Sequence, residues 1–242
     1  MENVGRSFRT EKFKDYGKGK NYLGIKTRAD VVRDIELNYL RFLKDFKNKK
    51  ILDLGCGQGY FLDFLKKHGF SDYSGIDIDK DLVALCKQKS HSAICDDAFD
   101  FFEKTKDKYD VVVLNDVLEH FKKAEGIALL KLVNGRMQKN GIIIIRVPNA
   151  NFMFASSIRY GDFTHEVLYE NESLQQILRL SGFDTFYIGD YAYGLFGNKR
   201  SVKTALVSIA RKTILLCHGV VLRIVAGRRY NEFDIFAVGV KT

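Results

Sequence analysis

The 242-residue chain holds a single proline, Pro148, and only four cysteines, Cys56, Cys86, Cys95 and Cys217. The cysteines form no C-x-x-C pair and show no zinc-ligand spacing, so reduced thiols in a cytoplasmic protein are the expectation. The charged N-terminus lacks an apolar h-region, and no signal peptide is expected. The apolar stretch from Ala205 to Ala226 is interrupted by Arg211, Lys212, His218 and Arg223. Those charges argue against a transmembrane span and leave a packed helix pair or an interfacial basic helix touching a membrane. There is no internal repeat and no low-complexity segment.

What remains is an ordinary globular composition, 46% apolar and 29% charged, of a length that suits one domain. The net charge of +9 points to acidic partners: a phosphorylated or nucleotide-linked substrate, nucleic acid, or an anionic membrane surface. Lysine used simply for solubility explains it equally well.

The chain is organised around Ile51-Leu52-Asp53-Leu54-Gly55-Cys56-Gly57-Gln58-Gly59-Tyr60-Phe61-Leu62. A short apolar run reads as a buried parallel strand, and Phe61, Leu62, Phe64 and Leu65 recur with helical spacing. Between them, three glycines at alternate positions allow a tight turn and close approach of a ligand. Dinucleotide folds space these glycines as G-x-G-x-x-G; here the spacing is G-x-G-x-G, with Asp53 two places before the first. The whole string resembles motif I of the class I S-adenosylmethionine-dependent methyltransferases, a likeness that covers about residues 47 to 190.

The remaining pattern alternates. Residues 1 to 26 read as a polar arm or lid, followed by a helix from Thr27. Strands are expected at Tyr73–Asp77, Ser92–Cys95, Tyr109–Asn115 and Ile142–Val147, with helices near Asp79–Gln88 and Lys122–Gln138 between them. A helix over Glu172–Leu180, a strand over Phe183–Ile188 and a last strand over Phe233–Val240 complete it. The predicted fold is α/β, a doubly wound, Rossmann-like sheet of seven strands with the last reversed. It occupies residues 27 to 242, with an enlarged helical connection at about 200 to 230.

In such a sheet a ligand lies beyond the carboxyl ends of the strands, beside strand one. The cofactor set is therefore Asp53, Gly55, Cys56, Gly57 and Gly59 at the turn, Asp77 with Ile78 at the second strand end, and Asn115 at the fourth. The resemblance adds Asp97 and Ala98 at the adenine edge. Tyr22 or Arg28 is the candidate for the methionine carboxylate. Alternatively Asp77 is a turn residue and Asp96 or Asp97 a helix N-cap.

The block Leu114-Asn115-Asp116-Val117-Leu118-Glu119-His120-Phe121 resembles the L-E-H block of small-molecule O-methyltransferases, and no N-P-P-Y signature of nitrogen methylation is present. The Gly161–Glu166 block and Val147-Pro148-Asn149 look similar to sugar O-methyltransferases of surface-polysaccharide pathways. A hydroxyl needs a base as its proton leaves, so His120, His165 and Asp116 are the catalytic candidates. Backbone-bonded or helix-capping roles are the alternatives for the two histidines. His68 and His218 read as structural, and His91 as a surface turn residue. If the chain turns helical at Asp116, then Asp116, Glu119 and His120 share one face. With His165 they would suit a divalent cation, a pattern resembling metal-dependent RNA 2′-O-methyltransferases except for Asp116 in place of Glu.

The expected activity is methyl transfer to a hydroxyl of a sugar-containing, nucleotide-linked or phosphorylated small molecule of polysaccharide biosynthesis, by a monomer or homodimer. RNA 2′-hydroxyls, a quinone-like phenol, and a cofactor-binding protein without chemistry are the alternatives.

Overall fold

The computed structural model describes residues 11–13, 28–152, 154–192, 213 and 234–241. Seven strands run through it: β1 Ile51–Leu54, β2 Tyr73–Asp77, β3 Ala93–Cys95, β4 Tyr109–Asn115, β5 Met137–Pro148, β6 Phe183–Asp190 and β7 Asp234–Lys241. Their spatial order is β3-β2-β1-β4-β5-β7-β6. The first five are parallel, whereas β7 runs antiparallel between β5 and β6. This is the doubly wound sheet with a reversed last strand that the alternating pattern predicts.

The helices are α1 Arg28–Leu43, α2 Tyr60–Lys67, α3 Lys80–Gln88, α4 Ala98–Lys104, α5 Lys123–Gly135, α6 Ala155–Gly161 and α7 Asn171–Leu180. Successive strand residues point to opposite faces, so the apolar strands supply two cores. Leu52, Val112, Leu114, Ile143 and Ile145 pack with Phe102 of α4, Leu129 of α5 and Leu178 of α7. Ile51, Val111, Val113, Ile142 and Ile144 pack on the other face with Tyr39 of α1, Phe64 of α2 and Val83 of α3. Burial on both faces is why these strands read as continuous apolar runs.

The boundaries differ from expectation in one instructive place. Strand β5 starts at Met137 and runs through Asn140-Gly141, which the sequence suggests as the turn into the strand. Helix α5 consequently ends at Gly135 rather than near Gln138. Tyr109 pairs with Met137, and the register then shifts before Val111 meets Ile142. Asn140 absorbs this bulge at φ +63°, and a Cβ on Gly141 would lie 2.9 Å from the Asp110 carbonyl. The arm apart from 11–13, and the 200–230 connection apart from Thr213, lie outside the described residues. So do Tyr22, Tyr193, Phe196, His218 and the basic Ala205–Ala226 stretch, Thr213 apart. No helix among the described residues is long and apolar enough to cross a membrane.

Candidate active site

A cavity of about 1020 Å³ opens at the carboxyl ends of β1, β2 and β4, beside the glycine turn. Gly55, Gly57 and Gly59 take φ values of +75°, +51° and +77° there. At Gly55 a Cβ would press to 2.3 Å from Val117 Cγ2. A Cβ on Gly57 would meet nothing within 4 Å, so that glycine leaves open room on the cavity wall. The Gly55 and Cys56 amides donate to the Ile76 carbonyl at 2.8 and 3.0 Å, which ties the turn to β2.

The sequence candidates arrive at this cavity in different ways. Asp53 is 1% exposed, and its Oδ1 has no hydrogen-bond partner among the described residues. Burial, with Cys86 and Asp77 nearby, pushes its carboxyl well above the usual carboxylate range. Asp77 accepts from the Gly57 amide at 2.8 Å through Oδ2 and from the Asp79 amide at 2.9 Å through Oδ1. It is thus the turn residue of the alternative reading, yet it also lines the cavity with Ile78. With the Ile78 amide as a third donor, the carboxylate retains one of its roughly four lone-pair sites for a ligand. Asp97 caps α4 by accepting from the Phe99 amide at 2.9 Å, and it lines the cavity together with Ala98. Arg28 does not line it: its guanidinium pairs with Asp63 and lies 5.1 Å over the Tyr60 ring. Gly59 shapes the turn without lining the cavity.

At the far end, the helix expected from Asp116 does not form. Asp116 sits at φ +56°, and a 3-10 turn, Leu118–His120, begins two residues later. The carboxylate of Asp116 turns to Arg146 of β5, which holds it from Nε at 3.0 Å and from Nη2. Asp116 is therefore apart from the three groups that do converge. Glu119, His120 and His165 bring ligand-type atoms within 4.8 Å of one another. The Glu166 and Val167 amides donate to the Glu119 carbonyl at 2.8 and 3.1 Å, and this stitches the distant loop to the 3-10 turn.

Each member of that cluster has a definable state. Glu119 is fully buried, and neither carboxylate oxygen has a hydrogen-bond partner among the described residues. Burial first, and the nearby Asp116 charge second, raise its carboxyl well above the usual range. His120 Nδ1 lies 3.2 Å from the Thr164 carbonyl and His165 Nδ1 lies 2.9 Å from the Ile158 carbonyl. A carbonyl only accepts, and the Thr164 hydroxyl, 3.0 Å from His120 Nδ1, gives its own proton to Asp162 at 2.6 Å, so Nδ1 is the donor of each ring and the neutral form of His120 has its lone pair on Nε2. The backbone-bonded alternative thus holds for one nitrogen of each ring. The rings lie 4.9 Å apart, and Asp162 Oδ2 is 3.6 Å from His165 Nε2.

Four contributing residues were not anticipated. Arg146 interrupts the apolar Ile142–Val147 run, a charge inside a buried strand that marks it as special. Its guanidinium also lies 4.8 Å over Tyr191 and 3.9 Å from Asp234. Tyr39 reaches from α1 and donates its hydroxyl to Asn115 Oδ1 at the cavity wall. Within the arm, Phe13 sets its ring edge-on to His120 at 5.3 Å, and Lys12 pairs with Glu166 at 3.0 Å. His91 is corrected from surface to interior: it is 5% exposed, with Nε2 2.9 Å from Asp63 and Nδ1 3.4 Å from the Tyr73 hydroxyl. His68 is structural as expected, pairing with Glu36 at 2.9 Å.

A family model described as a methyltransferase domain matches residues 27–187. A "Ubiquinone biosynthesis O-methyltransferase" of Coxiella burnetii is 24% identical over 128 residues, 50% of this chain and 53% of that protein. One of the same name from Hydrogenovibrio crunogenus is 21% identical over 168 residues, 62% of this chain and 68% of that protein. The aligned stretch thus spans about half the length of the first of these curated relatives. Among solved structures, a SAM-dependent methyltransferase from Archaeoglobus fulgidus aligns with TM-score 0.65 and 24% identity, over 89% of this chain and 95% of that one. A magnesium protoporphyrin IX methyltransferase from Synechocystis with bound SAM gives 0.56 and 14% identity, over 98% and 96%.

Proposed function

The chain belongs to the methyltransferase-domain family, and we propose that it uses S-adenosylmethionine (SAM) to methylate a hydroxyl on an acceptor that carries no phosphate. The observation that carries this reading is one cavity with two differently equipped ends: the glycine turn with buried Asp53, whose Oδ1 has no hydrogen-bond partner among the described residues, and the Glu119–His120–His165 cluster.

The residues present fit the cofactor. Open room beside Gly57 admits a ligand against the backbone, and the buried Asp53 oxygen suits a cationic amino or sulfonium group. Asp77 and Asp97 are the groups for its ribose and adenine edge. SAM supplies an electrophilic methyl on a sulfonium. The chain's part is to hold the acceptor oxygen in line, exclude water from it and take its proton. His120 Nε2 is the proton acceptor in this reading, with Nδ1 fixed by Thr164 and the ring backed by Phe13. His165 flanks it as a second imidazole.

The acceptor class follows from charge. Among the described residues, eight acidic side chains line the cavity against one guanidinium, Arg146, which Asp116 already grips, and even with Asp53, Asp77 and Glu119 pushed toward their neutral forms the acidic groups outnumber it. A phosphate would meet repulsion there, so the +9 net charge is not an argument for a phosphorylated substrate. Phe121, Phe152, Ile158 and Pro148 supply apolar wall, which suits a phenolic ring. The relatives named for ubiquinone biosynthesis agree with that direction. A sugar acceptor is the second reading, favoured by Tyr160 and Phe163, 80% and 93% exposed, as stacking faces beside the 162–167 loop.

Glu119, His120 and His165 also make a carboxylate and two-imidazole donor set of the kind that holds a divalent cation. Bound there, a cation would lower the pKa of a coordinated hydroxyl. Incubation of the chain and SAM with a catechol, a neutral glycoside and a nucleotide sugar, with and without chelator, tests these readings together. Methylated catechol supports the first and methylated glycoside the second. Methyl transfer to the nucleotide sugar alone overturns the charge argument.

A further inference from the structure

Two residues outside the cavity lining connect to His120 in series. Asp162 follows α6, and its Oδ1 accepts from the Thr164 amide at 2.9 Å and from the Thr164 hydroxyl at 2.6 Å. The second distance is that of a charge-assisted O–H···O⁻ bond. The same Thr164 hydroxyl oxygen lies 3.0 Å from His120 Nδ1. Thr164 and His120 are both buried, which leaves this series of bonds little competition from water.

Asp162 sets the direction of the series. A hydroxyl has one proton to give. While Asp162 accepts it, the Thr164 oxygen can only accept from the imidazole, and this favours the Nδ1–H form of the ring. A hydroxyl released from Asp162 is free to turn and donate to Nδ1 instead. It then stabilises the opposite tautomer, whose Nε2 already carries a proton and cannot take another. The Thr164 carbonyl, 3.2 Å from Nδ1, also favours the first form, but it does not decide which way the hydroxyl points. An Asx-turn needs only the amide contact, so the hydroxyl link to the ring is additional to the loop's own geometry.

We propose that Asp162 is a positioning residue that, through Thr164, keeps the lone pair of His120 on Nε2 and available to the acceptor hydroxyl. The inference rests on His120 being the proton acceptor of the reaction. The proton that leaves the acceptor is taken up by Nε2 and stays there. None passes to Asp162, which acts on the ring only by fixing the hydroxyl. Neither Asp162 nor Thr164 lines the cavity, so neither touches the reacting atoms.

Asp162→Ala frees the hydroxyl. It should lower kcat about tenfold on whichever of the three acceptors is methylated, with KM for SAM unchanged, because the competent tautomer falls to about a tenth of the population. Asp162→Asn still offers an oxygen to the hydroxyl and should recover most of that loss. Thr164→Val should lose only about threefold, since Nδ1–H keeps the backbone carbonyl. Asp162→Ala and Thr164→Val combined leave no hydroxyl to misdirect, so the double variant should be faster than Asp162→Ala alone and close to Thr164→Val. A purely structural role makes the two losses add. Nitrogen-15 NMR of the histidine rings at about pH 8, where an ordinary imidazole is neutral, reads the tautomer without any acceptor. The unmodified chain should hold the His120 proton on Nδ1, and Asp162→Ala should move most of it to Nε2. Additive losses in the double variant, or a His120 tautomer that does not respond to Asp162→Ala, overturn the proposal. If His120→Ala turns over like the unmodified chain, the proton-acceptor reading fails, and the tautomer result still decides whether Asp162 orders the ring.

Discussion

Arg146 and Asp116 face each other fork to fork, with Nε and Nη2 of the guanidinium on the two oxygens of the carboxylate. The pair fixes a residue in the left-handed region at the tip of β4, between the glycine turn and the Glu119 cluster. Asp234, 5% exposed by its side chain, lies 3.9 Å from the same guanidinium. Removing the cation leaves two carboxylates with poorer partners. Asp116 is half exposed, so the full cost of a broken buried pair does not apply. Arg146→Met should lower stability by about 2 kcal/mol in urea unfolding. An unchanged midpoint would show that Asp116 holds its conformation without help.

The turn glycines separate fold from function. At Gly55 an added Cβ meets Val117 at 2.3 Å and the backbone is left-handed, so Gly55→Ala should reduce folding stability as well as SAM affinity. At Gly57 nothing in the chain opposes the Cβ. Gly57→Ala should cost only the left-handed penalty of about 1 kcal/mol while weakening SAM binding about tenfold or more. Thermal unfolding and calorimetry on the two variants read this split. Equal loss of binding with equal loss of stability in both would assign the turn a structural role only.

These relationships mark how far residues alone can be read. The glycine turn, the apolar strands and the acidic strand ends were legible because each is local: period, spacing and composition settle them. The Asp116–Glu119–His120 face was misjudged because it assumed helical geometry, and one positive φ at Asp116 sends its carboxylate to a strand thirty residues away. His91 was misplaced for a similar reason. Its burial comes from Tyr73 and Asp63, contacts that no window around a loop histidine contains. His165 reached His120 through the fold, and the Glu119 carbonyl that anchors its loop leaves no trace in side-chain patterns. The cavity's acidity was likewise hidden, since net charge says nothing about which residues turn inward.

Glu119 offers a pH test of the cation reading. Its carboxyl is raised well above the usual range by burial, so the folded chain keeps its proton where the unfolded chain releases it. That contribution to stability is complete below the unfolded value of about 4.3 and is lost as pH rises through the folded value. In chelator, wild type should therefore lose stability relative to Glu119→Gln as pH increases. Added Mg²⁺ or Mn²⁺ should restore wild type and leave the variant unaffected. Melting curves across pH show the outcome, and identical response of both proteins to metal would remove Glu119 from any cation site.

Asp53 carries the corresponding test for the cofactor. In the free chain its carboxyl is held well above the usual range by burial and by Cys86 and Asp77 nearby. A bound cationic group favours the ionised form and so lowers that pKa, which means that binding expels a proton. SAM affinity should therefore rise with pH across the range where free Asp53 titrates, and level off above it. Each unit by which the bound cation lowers the pKa corresponds to about tenfold in affinity. Calorimetry in two buffers of different ionisation enthalpy measures the proton released. Asp53→Asn should abolish that release and flatten the pH profile. A variant that still expels a proton would place the titrating group elsewhere, with Asp77, also raised by burial, the next to replace.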